Sequence, residues 1–162
     1  NVRAVPTTEG LQRQRKLSLP TTEAWWLDCL ERGYVFRSRL GLEAELADWH
    51  DRVTTELLHA SYVEFAKAHG ERRILSREWL GRYFVGIRAS AGRWRHGIVG
   101  EHLTNETNMH GGTSRVAKLV RQDRATGYYF GEIGRARDAF TKATGLAVTW
   151  DGGPADWVDD AE

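Results

Sequence analysis

One cysteine, one methionine and three prolines are spread over 162 residues. A lone Cys29 cannot close an internal disulfide, and it fits a reducing compartment. Lying on an apolar helical stripe, it reads as a small buried residue and not as a nucleophile. No apolar run reaches the roughly 18 residues that a membrane span needs, and the first residues lack the apolar core and cleavage site of a signal peptide. No G-x-x-x-x-G-K-[ST] phosphate loop occurs, since Gly111-Gly112-Thr113-Ser114 lacks both the lysine and the spacing. His96, His102 and His110 share a region with Asn105, but their intervals of six and eight residues match no metal-ligand pattern. The expectation is a domain with no metal, no cofactor and no catalytic residues. Because the chain starts at Asn1 and its only methionine is Met109, it reads as a piece of a longer protein.

What is present is an ordinary globular composition with an uneven charge. Apolar residues at 41% and charged residues at 28% suit one soluble domain with extensions. The formal net charge is only +1, yet residues 71–124 hold eleven arginines and lysines against five acids, a surplus of six. A near-neutral average therefore conceals a basic segment, and a polyanion responds to that segregation more than to the total.

Local signals divide the chain into elements. Residues 1–20 are polar and basic and read as a linker or the tail of a preceding domain. A helix is expected from about Thr22 to Arg32, capped by Thr21 or Thr22 and stopped by Gly33. Residues 34–52 are ambiguous, with Leu42, Leu46 and Trp49 at helical spacing. Thr54 caps the next helix, Val53 can staple to Leu58, and Gly70 ends it. Another starts at Ser76, with Trp79, Leu80, Tyr83, Phe84 and Ile87 expected inward and Arg77 and Arg82 outward. Residues 89–112 read as an inserted loop with some strand at Ile98 and Val99. From Thr113 the residues alternate, and two strand-like runs around a turn ending at Gly127 suggest a hairpin over 113–130. A helix from about Glu132 to Thr144 closes the domain. Residues 151–162 hold five acids and no base and read as an acidic tail. The resulting fold class is α+β: a mostly helical, winged-helix-like domain over 21–150, with a β-hairpin wing and a closing helix.

Several segments carry a family likeness. They are Val5-Pro6-Thr7-Thr8 with Leu11, Gln14 and Ser18-Leu19; Trp26-Leu27 with Leu30 and Gly33; and Trp49, Val53, Leu57 and Tyr62. Further on come Gly70, Leu75-Ser76 and Leu80-Gly81-Arg82, then Gly127-Tyr128, Arg137, Phe140 and Trp150. With these the chain resembles the C-terminal region of phage- and plasmid-type replicative primase–helicases, whose ATPase is of helicase superfamily 3. The resemblance implies that the opening stretch leaves an ATPase domain and that the rest is an accessory DNA-binding domain. Nothing catalytic transfers, because the phosphate loop and the acidic triad of a primase core are missing. The parent is expected to be an ATP-dependent helicase or primase. The implied partners are DNA, the preceding ATPase domain and other replication proteins, with no membrane and a cytoplasmic location in a bacterial host.

The expected nucleic-acid contacts are Ser76, Arg77, Arg82, Arg88, Arg93, Trp94, Arg95, Arg115, Lys118, Arg121 and Arg124. Cationic side chains neutralise phosphates and release counterions, the main source of sequence-independent affinity. Arg77 and Arg82 are about 140° apart round a helix, so they flank one outer face. Ser76, at the positive end of that helix, is placed to present backbone N–H groups to a phosphate. Arg115, Lys118, Arg121 and Arg124 would grip phosphates from the wing. Trp94, between Arg93 and Arg95, can stack on a base or can pin its loop to the body. The rival reading is a protein–protein docking module of the replication complex, with the basic face meeting an acidic protein surface.

Overall fold

A computed structural model describes residues 8–35, 49–87 and 89–150. The stretch of Leu42 and Leu46, Arg88 and the acidic tail lie outside the described residues. The domain is α+β. The helices are α1 (Glu9–Leu17), α2 (Thr21–Arg32), α3 (Thr55–Ala68), α4 (Arg77–Gly86) and α5 (Ile133–Thr144). The strands are β1 (Arg52–Thr54), β2 (Ser90–Trp94), β3 (Ile98–Thr107), β4 (Thr113–Gln122) and β5 (Ala125–Tyr129). No helix among the described residues is long and apolar enough to cross a membrane.

Local chemistry explains most of the helix limits. The Leu57 amide donates to Thr54 Oγ1 at 3.2 Å, so Thr54 caps α3 as expected. Gly33 and Gly145 end α2 and α5 in the left-handed conformation, with φ of 78° and 64°. Thr21 belongs to the first turn of α2, and Pro20 takes the cap position. The Thr21 hydroxyl instead donates to the Glu71 carboxylate at 2.7 Å. Residues 9–17, read from sequence as linker, form α1, which buries none of its residues. The Leu11 amide donates to the Thr8 hydroxyl, Glu9 opens the helix and Arg15 and Lys16 close it, as the helix dipole favours. Lys16 also pairs with Glu31 on α2.

Residues 89–112 are not an inserted loop. They supply β2 and β3, and the hairpin expected over 113–130 does not form, because β4 and β5 are not neighbours. β2 pairs antiparallel with β5 from Ser90↔Tyr129 to Trp94↔Ala125, and β3 with β4 from Ile98↔Gln122 to Thr107↔Thr113. These two ladders are halves of one long ribbon whose turn is at 108–112. Between them residues 95–97 face 123–124, three against two, which is a bulge. Gly97 and Arg124 both have positive φ there, 74° and 57°. The bulge bends the ribbon so that its halves flank the short β1. Arg52–Thr54 runs antiparallel to β5 and, at Val53↔Val99, parallel to β3, giving the order β2-β5-β1-β3-β4.

The core lies between the helices and one face of this sheet and is rich in rings. Phe84 of α4 is fully buried, with ring centroids 4.9 Å from Trp26, 5.2 Å from Phe130, 5.3 Å from Tyr128 and 5.8 Å from Trp25. Trp25 donates its indole N–H to Ser61 Oγ at 3.1 Å, and Trp49 donates to the Gly131 carbonyl at 2.8 Å. Arg137 on α5 donates twice to the Leu30 carbonyl, at 3.2 and 2.9 Å, placing a cation at the C-terminal end of α2. Two glycines allow close approach. A Cβ at Gly81 would sit 2.6 Å from Tyr128 Oη, and one at Gly127 would strike the Val53 carbonyl oxygen.

Candidate nucleic-acid interface

Helix α4 turns Leu80 and Phe84 to the core, and Gly81 lets it lie close on β5. The buried arc is consequently narrow. Trp79, expected inward, is 57% exposed, and Val85 is 62% exposed. The helical neighbours of Trp79 three and four positions onward are Arg82 and the partly buried Tyr83, so no local signal in the sequence marked this ring as exposed. Arg82, exposed as expected, places its guanidinium carbon 4.5 Å from the Trp79 ring centroid, a cation–π contact. Arg77 is exposed, and its Nη1 is 3.5 Å from Glu56 Oε1 on α3.

Ser76 stands at the cap position of α4 but accepts no backbone hydrogen bond there. Its hydroxyl and the Glu78 backbone N–H both donate to the Glu78 carboxylate, holding that carboxyl below its usual range. An anion supplied by the helix itself thus occupies the place expected for a phosphate.

The β4 cations do not act from one side. Lys118 lies opposite His102 and Arg121 opposite Val99, and an odd spacing along a strand sends them to opposite faces. Lys118 Nζ is 2.6 Å from Glu106 Oε1, so a carboxylate already meets it. Arg121 is exposed. Arg93 and Arg115 are placed in β2 and β4 by their backbones alone.

The bend of the ribbon is where residues far apart in sequence come together. The Arg124 amide donates to the Arg95 carbonyl at 3.1 Å, extending the β2–β5 ladder by one rung and setting the two arginines side by side. Trp94, half-buried, lies over its strand neighbour Gly92, where a Cβ would be only 3.3 Å from the indole Cη2. His96 Nδ1 contacts Asp123 Oδ1 at 3.1 Å across the bulge. Together Trp94, Arg95, His96 and Arg124 line an open cleft of about 580 Å³. His96, named from sequence among histidines whose spacing fits no metal, is a wall of the same cleft.

Short contacts connect this cleft to the start of α4. The Thr55 hydroxyl donates to the Thr126 carbonyl at 3.5 Å, next to Thr55 stands Glu56, and Glu56 meets Arg77. Arg77, Arg95 and Arg124 thus share the end of the domain formed by the first turns of α3 and α4 and the bend. A second cleft, about 550 Å³, lies between α5 and the core residues Trp26, Ile87 and Phe130, and Arg135 and Lys142 of α5 also line it. No protein-family model matches this chain, and neither a curated protein nor a solved structure shows significant similarity to it.

Proposed function

We propose that this chain is a DNA-binding accessory domain of a phage-type replicative primase–helicase, without catalytic residues of its own. It would meet duplex or forked DNA with the exposed side of α4 and the bend of the ribbon. The observation that carries the reading is the grouping of Arg77, Arg95 and Arg124, all exposed, at one end of the domain. In a winged-helix-like use of this fold, α3 and α4 form the helix pair, α4 lies against the groove, and the ribbon plays the wing. The wing would be β3–β4 with its turn at 108–112, in place of the hairpin read from sequence. Arg82 and Trp79 would face the same partner from the middle of α4. These contacts position the domain on the phosphate backbone.

Trp79 and Val85, both largely exposed on α4, favour a second reading in which this helix docks on a replication protein such as the preceding ATPase domain. One experiment separates the two. In a fluorescence anisotropy titration with a labelled duplex, affinity should fall by roughly 0.9 log units per phosphate contact for each decade of salt. Arg77→Ala with Arg82→Ala should weaken binding about tenfold or more while leaving the melting temperature nearly unchanged, because an exposed ion pair contributes only about 0–1 kcal/mol. Absence of salt-dependent binding would defeat the DNA reading and leave docking.

A further inference from the structure

The cleft at the bend has the makings of a site for something other than a paired phosphate backbone. Its four lining residues are one indole, two guanidinium groups and one imidazole, with no carboxylate among them. The Asp123 carboxylate stands beside the cleft, 3.1 Å from the His96 imidazole. Trp94 lies down over Gly92, so strand backbone supports one side of the ring, and the residue stays half-exposed. A supported, partly open indole between cations is what binds single strands, because every base has a stacking face and every nucleotide a phosphate. Along the length of a duplex no base face is open, because each base is stacked between its neighbours.

We propose that this cleft takes an unpaired nucleotide, the base stacked on Trp94 and the flanking phosphates held by Arg95 and Arg124. The inference rests on the DNA-binding reading above and narrows it to DNA with a junction between paired and single strands. Arg77 and α4 would hold the duplex side, and the bend would hold the first unpaired nucleotides beside it. The bulge is what builds the site. Without the extra residue at 95–97 and the positive φ of Arg124, the two strands would continue straight, and Trp94, Arg95 and Arg124 would lie along a flat ribbon.

The test compares two labelled probes on the whole chain by anisotropy: a blunt duplex and the same duplex with an oligo-dT tail. The unaltered chain should bind the tailed probe more tightly than the blunt one. Trp94→Ala should weaken binding of the tailed probe about tenfold, a typical loss for one base–aromatic stack, and leave the blunt probe unchanged. Trp94→Phe should recover most of the loss. Arg95→Ala, at an exposed position that costs the fold little, should weaken both probes, and the tailed one more. Equal affinity of the unaltered chain for both probes, or equal losses on both in the variants, would overturn this inference while leaving duplex binding intact. Failure of the unaltered chain to bind either probe would remove both readings.

Discussion

Phe84 and Met109 mark the extremes of two regions. Phe84 is wholly enclosed by the rings of Trp25, Trp26, Tyr128 and Phe130, whereas Met109, at the turn of the ribbon, is 98% exposed. The helical body is held by apolar burial around an aromatic centre. The outer half of the ribbon is held mainly by the ladder between β3 and β4, and polar side chains such as His102, Glu106 and Lys118 point from it into solvent. Changes in the first region should therefore act on stability, and changes on the second and at its bend should act on what the surface can bind.

The comparison is broken most directly at its centre. Phe84→Ala removes a ring that several others pack against, and it should cost about 3–5 kcal/mol, read as a large drop in the urea midpoint. A loss below about 1 kcal/mol would mean that the body does not depend on this cluster.

The seam between the two regions comes next. Gly127→Ala places a methyl group against the Val53 carbonyl and near Ile98, where β5 meets β1. Overpacking of this kind should cost on the order of 1–3 kcal/mol in thermal or chemical unfolding. An alanine tolerated there would show that β1 is not held tightly between the halves of the ribbon. The DNA-binding losses predicted for the arginine pair on α4 and for Trp94 sharpen the comparison from the other side, since those variants should melt like the parent chain.

The smallest expected effect is electrostatic. Burial, and then repulsion from Glu64, hold the Glu101 carboxyl above its ordinary value of 4.5. The folded chain therefore keeps this proton more tightly than the unfolded chain, and stability falls as pH rises from the ordinary value through the folded one. Glu101→Gln should raise the melting temperature slightly at neutral pH, and the gain should vanish below pH 4.5. A gain that persisted in acid would point to packing and not to charge.

Elements governed by adjacent residues were legible in the chain. The Thr54 cap, the stops at Gly33 and Gly145, and the alternation from Thr113 to Gln122 each predict what forms there. What misled was the pairing. A strand-like run, a short turn and another strand-like run look like a hairpin, but at 123–124 the chain passes through a bulge and continues in the same arm of the ribbon. Period-two alternation identifies a strand without naming its partner. Trp79 misled for a related reason: its hydrophobicity suggested burial, while the narrow arc that Gly81 presses onto β5 leaves it outside. For the site, the residue types were visible and their arrangement was not. Lys118 and Arg121 are separated by the pleat, whereas Arg95 and Arg124 are joined by a rung of the ladder.

Caps, helical stripes and the basic surplus of residues 71–124 were written into neighbouring positions, because their energies depend on residues within a few places of one another. The partners of β5, the meeting of Arg95 with Arg124 beside Trp94 and that of Arg77 with Glu56 arose only on folding, since they join residues more than twenty positions apart. Such contacts depend on which long loops close, and no local pattern encodes that choice.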